Sequence, residues 1–354
     1  MDENIKSDIL IEGEGLVAAI FSYFLSTKNQ DKTINLVLRK RENISSTIYT
    51  PGSIFPIFKL PTDLMEKVFH RTKDIITDLH SITSYFEFYQ NPYLVLYRDK
   101  RSIEQMNEHR EKLANSNIRH TNLSIEEIES YYPFINTTKE IYLTEIYNSS
   151  TCSNPYELFT TFLKLAIEND VKVINDNSEI NIIESEELVT ENAQYSAKDY
   201  VITTTANQCS ESVMKEKKIL KVVTPILERF PRVSIYDIAT KSSMWLEEAG
   251  YFHILRSSEI NNEIESISRV KKDFGDLFSS IDSLEIIDSY HTQINICDSI
   301  DEWITVAPSK KMFHFNIPLH FELSAAPSII KNFSYLLDKK EDIGSGTMSL
   351  ENLY

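Results

Sequence analysis

Residues 9–18 of this chain have the sequence ILIEGEGLVA, and they decide its fold. An apolar strand leads into the pattern G-x-G-x-x-A, an apolar stretch follows, and residues 33–39, TINLVLR, supply a second strand. This order of strand, glycine turn, helix and strand is that of a dinucleotide-binding βαβ unit. The chain has only seven glycines in 354 residues, whereas proteins average about 7 % glycine. Two of the seven lie in this turn, at the positions where the turn needs them.

The composition excludes several classes of partner. A net charge of −17 argues against nucleic acid and against an anionic membrane surface, because both attract basic proteins. The acidic start of the sequence and the short apolar run at 16–25 predict neither a signal peptide nor a spanning helix. Three cysteines lie far apart, with no C-x-x-C pattern. That favours a reducing compartment, which we take to be the cytoplasm, and no structural metal.

The rest of the chain alternates helical and extended patterns. The sequence predicts a capping box at Ser124 and Glu127, and a helix that Asn154 caps with Pro155 in its first turn. Strands are expected on both sides of Asn91-Pro92. The further predictions are helices at 61–82, 102–113 and 325–337, strands at 171–174 and 200–204, and strand-rich segments at 219–256 and 264–297.

This order of elements resembles the FAD-dependent D-amino-acid oxidase, glycine oxidase and sarcosine oxidase family over roughly residues 5–337. The segment at 13–18 is similar to the first phosphate turn of the family, and PGSIFP at 51–56 is similar to its flavin-proximal loop. SNPYEL at 153–158, followed by VKV at 171–173 and DYVI at 199–202, is the most specific match. Further similar segments are residues 123–133, which precede the central strand pair, and AAP at 325–327, which begins the last helix.

The resemblance implies an α/β fold with two domains. One is a Rossmann-like FAD-binding domain, with a parallel sheet, crossover helices and a β-meander. The other is an inserted α+β substrate domain with a mostly antiparallel sheet. The expected boundaries are 1–60, 150–215 and 290–340 for the FAD-binding-like domain, 61–149 and 216–289 for the substrate-like domain, and 341–354 for a mobile tail.

The resemblance also implies FAD as the cofactor and a small molecule as the substrate. Arg256 is the candidate group for a substrate carboxylate, and catalytic residues stay unknown. The cofactor-binding positions that match the family are Gly13, Gly15, Leu16, Ala18, Arg39, Lys40, Gly52, Ile180, Thr204 and Thr205.

Several of these positions depart from the family. Arg39 or Lys40 stands where the family has an acid that accepts hydrogen bonds from the ribose, and an arginine cannot accept a hydrogen bond. Arg39 suits either a 2′-phosphate or a solvated strand end. Threonines follow the strand at 201–204 where the family has glycine, and a β-branched residue does not readily adopt positive φ. The turn at 320–324 has no glycine, and Glu322 opposes the negative charge of a reduced flavin.

Two functions follow, and the sequence leaves both open. The first is an FAD-dependent oxidoreductase that oxidises a C–N bond of a small amine or amino acid, in which the cofactor carries the chemistry. The second is a non-catalytic descendant, a subunit or nucleotide-binding protein, that has lost normal FAD binding. An oligomer or an active partner subunit is compatible with either. The eight scattered histidines form no metal motif.

Overall fold

The computed structural model describes residues 3–39, 46–178, 181–182, 187–204, 214–225, 232–247, 250–258, 263–278, 285–297, 299–307, 309, 311–339 and 345–354. Seven α-helices lie within these ranges. They are α1 (Gly15–Lys28), α2 (Thr62–Thr83), α3 (Lys100–Ala114), α4 (Ile125–Tyr131), α5 (Pro155–Glu168), α6 (Glu263–Leu277) and α7 (Glu322–Asp338). None of these helices combines the length and the apolar composition that a membrane crossing requires.

The first sheet is parallel at its centre, as the opening βαβ pattern predicts. Its strands are β1 (Glu3–Gly13), β2 (Ile34–Leu38), β7 (Lys172–Asn175), β8 (Asn181–Ile182), β9 (Leu188–Val189), β10 (Ala193–Thr203), β16 (Ile304–Val306), β17 (Met312–Phe315) and β18 (Gly346–Thr347). The order is β18-β16-β17-β10-β1-β2-β7, with β9 on β10 and β8 on β9. From β17 to β7 all neighbours are parallel. The chain order therefore reverses between β1 and β10, the place where such sheets bind dinucleotides.

The second sheet is mostly antiparallel. Its strands are β3 (Ser53–Ile54), β4 (Phe88–Tyr97), β5 (His120–Leu123), β6 (Tyr142–Cys152), β11 (Met214–Pro225), β12 (Ser234–Asp237), β13 (Ser242–Glu247), β14 (Tyr251–Ser258) and β15 (Asp288–Cys297). They are ordered β15-β11-β14-β13-β12-β4-β6-β3, with β5 on β6. The predicted fold class, a Rossmann-like sheet combined with a mostly antiparallel sheet, is confirmed.

Helix α1 is apolar on nearly all sides because it is covered on nearly all sides. It packs against both α5 and α7 and buries eleven of its fourteen residues, as expected for a helix in the core. Phe21 lies with its ring centroid 4.5 Å from that of Phe315 on β17, and Phe333 of α7 closes the cluster at 4.9 Å from Phe315. This packing fixes the start of α1 against the first sheet.

Three predicted boundaries differ from the structure. Asn91-Pro92 does not separate two strands: β4 runs through it, and the pairing with β6 shifts register between Asn91 and Tyr93. Proline has no N–H to donate, so it is accommodated at this irregularity. Strand β15 pairs with β11 along its whole length, so the expected boundary at 290 falls within a strand of the second sheet. Residues 53–54 and 150–152 also belong to the second sheet.

The end of the chain was expected to be a mobile tail, but residues 345–354 pack against the protein. Strand β18 pairs with β16, and a 3-10 turn at Leu350–Leu353 buries both leucines. The hydroxyls of Ser328 and Tyr354 are hydrogen-bonded, which ties the turn to α7. The apolar side chains of Met348, Leu350 and Leu353 join the main core, and this burial outweighs the polar composition of the segment.

Candidate functional site

The turn between β1 and α1 has the backbone of a phosphate-binding turn. Gly15 has φ +68°, in the left-handed region that favours glycine. The N-cap residue of α1, Glu14, makes no side-chain capping hydrogen bond to the first N–H groups of the helix, and such groups attract anions. Leu16 and Ala18 are fully buried, so their side chains hold the turn against the core.

Thr204, the residue after β10, packs against Gly13, the first glycine of this turn. Its backbone N–H donates to the carbonyl of Glu12 at 2.9 Å. A Cβ placed on Gly13 would lie 1.7 Å from Thr204 Oγ1, so Gly13 is required by the threonine itself. The Oγ1 atom is buried and has no hydrogen-bond partner within the described part of the chain. It is an unsatisfied hydroxyl at the edge of the phosphate turn.

Arg39 is engaged with the protein instead of being solvated. Its backbone N–H donates to the carbonyl of Gly13 at 2.9 Å, and its Nη2 donates to the carbonyl of Ser178 at 2.7 Å. Its Nη1 lies 3.6 Å from Oε1 of Glu12, whose side chain is 2 % exposed. Arg39 thus compensates a buried carboxylate at the position where the resemblance expects an acid.

Next to Arg39 lies a polar cluster that the sequence analysis missed. Asp176 accepts hydrogen bonds from Tyr195, Thr190 and Ser178. Burial raises the pKa of the Asp176 carboxyl, but the hydrogen bonds from these groups outweigh it and hold that pKa well below its usual value. Tyr195 lies in β10, and Thr190 and Ser178 lie in the segment between β7 and β10. No local sequence motif therefore indicates the cluster. It closes the ends of β2 and β7.

Glu322 adds a buried carboxyl that interacts electrostatically with Glu14 of the phosphate turn. It is the first residue of α7, is 5 % exposed, and accepts a 2.8 Å hydrogen bond from Thr50 Oγ1. Burial raises the pKa of Glu322 to about 8, the Thr50 bond opposes this, and the carboxylate of Glu14 at the N-cap of α1 adds to it. Glu14, the N-cap residue of α1, and Glu322, the first residue of α7, are therefore electrostatic neighbours.

Gly52 has a packing role in the structure. A Cβ on this residue would lie 2.6 Å from the carbonyl oxygen of Cys152 and 2.6 Å from Nε1 of Trp245. The Trp245 N–H donates to the carbonyl of Ser153 at 2.9 Å. Gly52 is thus held where the loop at 51–56 meets the second sheet.

A cavity of about 460 Å³ is lined by residues of the second sheet, of α3, of the loop at 55–59 and of the turn at 319–321. Phe55 forms part of its wall and stacks on Tyr93, with centroids 5.2 Å apart. The lining includes four basic side chains and one acidic side chain, Lys59, Arg101, Lys241, Arg256 and Asp99. In a chain of net charge −17, this lining favours an anionic or carboxylate-bearing ligand.

Arg256 lines the cavity, and its guanidinium forms an ion pair with a residue of α6. Its Nη1 lies 2.5 Å from Oδ2 of Asp273 on α6, and the Arg256 side chain is 12 % exposed. Tyr93 has its hydroxyl buried and without a hydrogen-bond partner among the described residues. His109 stacks on Phe58 at 4.1 Å, and burial lowers its pKa to about 4. The cavity therefore offers a neutral imidazole and a phenol beside its basic groups.

Three predicted site residues, Lys40, Ile180 and Thr205, lie outside the described residues. Within the described residues no group of histidine, cysteine or acidic side chains is placed to hold a metal ion. Gly13, Gly15, Arg39 and Thr204 meet around one turn. Arg256 belongs to the separate cavity.

The backbone around the turn fits a dinucleotide. Gly15 opens α1, the N-cap residues of α1 and α7 make no side-chain capping hydrogen bond, and the buried Thr204 hydroxyl lacks a partner in the described part of the chain. A ligand with phosphate and hydroxyl groups satisfies such donors. Glu322 is the exception, because its buried carboxyl interacts unfavourably with the carboxylate of Glu14 at the start of α1.

No protein-family model matches the sequence, and no curated protein matches it either. Solved structures do match along almost the whole chain. Glycine oxidase from Geobacillus kaustophilus has a TM-score of 0.79 at 10 % identity and covers 96 % of each chain. L-proline dehydrogenase from P. horikoshii has a TM-score of 0.77 at 15 % identity and covers 97 % of this chain and 95 % of its own.

A third match, the dithionite-reduced L-α-glycerophosphate oxidase from Mycoplasma pneumoniae with FAD bound, has a TM-score of 0.72 at 14 % identity and covers 96 % of each chain. At these identities the similarity establishes architecture alone, and function must be argued from the site. From the first glycine turn to the last helix, this chain has the fold of these oxidases and dehydrogenases.

Proposed function

We propose that this chain is an FAD-dependent oxidoreductase that oxidises the C–N bond of a small amine or amino acid. The observation that carries the proposal is the left-handed Gly15 turn at the point where the parallel sheet reverses its order. The substrate class, small amines and amino acids, is supported by the similarity in fold to a glycine oxidase and to an L-proline dehydrogenase. When bound, FAD supplies the acceptor for the hydrogen and the two electrons that leave the substrate.

The residues of the turn would hold the pyrophosphate. Gly15 lets the backbone approach a phosphate, and the N–H groups at the start of α1, beginning with Leu16, supply donors and positive potential. Ala18 and Gly13 keep the helix and the end of β10 close together, and the unpartnered Thr204 hydroxyl is a further donor.

The cavity against the second sheet would hold the substrate. Its volume of about 460 Å³ suits a small molecule, and Arg256 supplies a cation for a carboxylate. Because Arg256 is paired with Asp273, its orientation is set before the ligand arrives. We further propose a cytoplasmic location, which the free, buried thiol of Cys152 supports.

The test is the colour of the purified protein. A chain that binds FAD is yellow, absorbs in the flavin bands, and releases FAD on heating. Glycine, proline and sarcosine then serve as first substrates, with bleaching of the flavin absorbance under anaerobic conditions as the measurement. A colourless protein that takes up no added FAD would exclude this function.

One observation favours the second candidate, a non-catalytic descendant. Arg39 stands in the place of the ribose-binding acid and is bound to Glu12 and to the Ser178 carbonyl. A nucleotide that raises the melting temperature of a colourless protein would support a nucleotide-binding role, since ligands stabilise the state that they bind. Co-elution with an active flavoprotein would support the role of a partner subunit.

A further inference from the structure

We propose that the carboxyl of Glu322 occupies the anion site between the N-termini of α1 and α7, and that it thereby lowers the affinity of this chain for the pyrophosphate of a dinucleotide. The inference rests on the proposed function, because it concerns the site that FAD would use. It makes Glu322 a residue that sets cofactor affinity and takes no part in the reaction.

Packing, a hydrogen bond and electrostatics together indicate that the carboxyl lies near the start of α1. Glu322 begins α7, which packs against α1, and its side chain is buried. Thr50 Oγ1 fixes the carboxyl with a 2.8 Å hydrogen bond. The group that acts on it electrostatically is Glu14, the N-cap residue of α1. A dinucleotide in a sheet of this kind places its pyrophosphate at the start of α1, so the ligand and the carboxyl compete for one region.

Competition for this region has two parts. The carboxyl takes space near the start of α1, where the positive potential of the helix N-terminus favours a phosphate. A bound pyrophosphate must also lie close to the acidic Glu14, and negative charges brought together in a buried site repel. Burial keeps Glu322 largely protonated at neutral pH, because its pKa is about 8. The steric part therefore dominates at neutral pH, and we expect weakened binding and not its complete loss.

Glu322 also holds the loop at 50–55 to α7, and the controls must separate this structural role from an effect on the ligand. A second contact holds the same loop: Ser324 Oγ accepts from the backbone N–H of Phe55 at 3.1 Å and donates to the carbonyl of Ser53 at 3.3 Å. The substitution Glu322→Gln keeps an acceptor for Thr50 and the size of the side chain. Glu322→Ala removes both the size and the acceptor.

The experiment measures the dissociation constants of FAD and of ADP for the full chain, freed of nucleotide. Titrations of the original protein, Glu322→Ala, Glu322→Gln and Ser324→Ala are followed by flavin fluorescence and by calorimetry, after thermal melts show that each is folded. We expect Glu322→Ala to bind both ligands at least about ten-fold more tightly. Glu322→Gln should change little, and Ser324→Ala should leave both constants unchanged.

Each outcome is informative. Equal constants for the original protein and Glu322→Ala overturn the inference and leave the FAD function standing. A gain for ADP in proteins that bind no FAD supports the inference and excludes the FAD function. If no folded protein in the series binds FAD or ADP, the inference and the proposed FAD function both fail. An equal gain in Ser324→Ala also overturns the inference, because loosening of the loop would then explain the effect.

Discussion

The guanidinium of Arg39 lies 3.6 Å from the carboxylate of Glu12, and this pair joins the ends of β1 and β2. Glu12 sits in the core at 2 % exposure, whereas the Arg39 side chain is 21 % exposed. A buried carboxylate is costly without a compensating charge or hydrogen bond. The first βα unit therefore contains an internal charge pair in the region where the related architecture binds a nucleotide ribose.

Removing the cation should cost stability. We expect Arg39→Met to lower the free energy of unfolding by about 1–3 kcal/mol, less than for a fully buried pair because Arg39 is partly exposed. Urea denaturation measures the change. Glu12→Gln should recover part of the loss in the double variant. Lys32→Met is the matched control, since its pair with Asp199 is more exposed on both sides and should be worth no more than about 1 kcal/mol.

Glu322 should make stability depend on pH. Its pKa in the folded protein is about 8, above the ordinary value of 4.5, so folding favours the protonated form. Its contribution is complete below about pH 4.5 and is lost as the pH rises through 8. The melting temperature of the original protein should fall between pH 6 and pH 9 by several degrees more than that of Glu322→Gln. Identical slopes for the two proteins would show that Glu322 ionises without cost.

Gly13 and Thr204 should behave as a coupled pair. A methyl group on Gly13 would overlap Thr204 Oγ1, which lies 1.7 Å from the Cβ position, so Gly13→Ala should destabilise the protein by about 3 kcal/mol or more. Removing the hydroxyl with Thr204→Ala should relieve much of this in the double variant. Strict additivity of the two single changes in urea denaturation would contradict the described contact.

Gly52 should tolerate substitution far less than Gly346. A Cβ on Gly52 would meet the Cys152 carbonyl at 2.6 Å, and backbone cannot move aside as a side-chain tip can. Gly346 has no atom within 4 Å of its Cβ position, although its φ of +105° is itself strained for alanine. Gly52→Ala should therefore lower the melting temperature well beyond Gly346→Ala. Thermal melts of both variants give the comparison directly.

The sequence predicted the parts of the fold that depend on local signals. Asn154 caps α5 through the Tyr156 N–H, and Ser124 and Glu127 form the predicted capping box at α4. The first βαβ unit follows from the glycine turn and the apolar strands on both sides of it. These features need only neighbours in the chain, so the pattern alone determines them.

Helix α6 was missed, although a signal was present. Residues 264–297 were predicted to be strand-rich, but Ile267, Val270, Phe274 and Leu277 recur at helical spacing and pack against the second core. The β-branched and aromatic residues among them favour a strand prediction. The helical period of the buried positions is the signal that indicates α6. The contacts of the site could not be predicted in this way. Thr50 and Glu322 are 272 positions apart, and only the fold brings them together.

The arrangement of the first sheet has a consequence for how the protein is made. Strand β10 pairs with β1 on one side and with β17, residues Met312–Phe315, on the other. During synthesis, more than a hundred further residues are translated after β10 before its second neighbour, β17, leaves the ribosome. Meanwhile one edge of its apolar end, Val201 to Thr203, stays open to pairing with other chains. We expect slow refolding and a dependence on chaperones, as is general for parallel sheets assembled from distant segments.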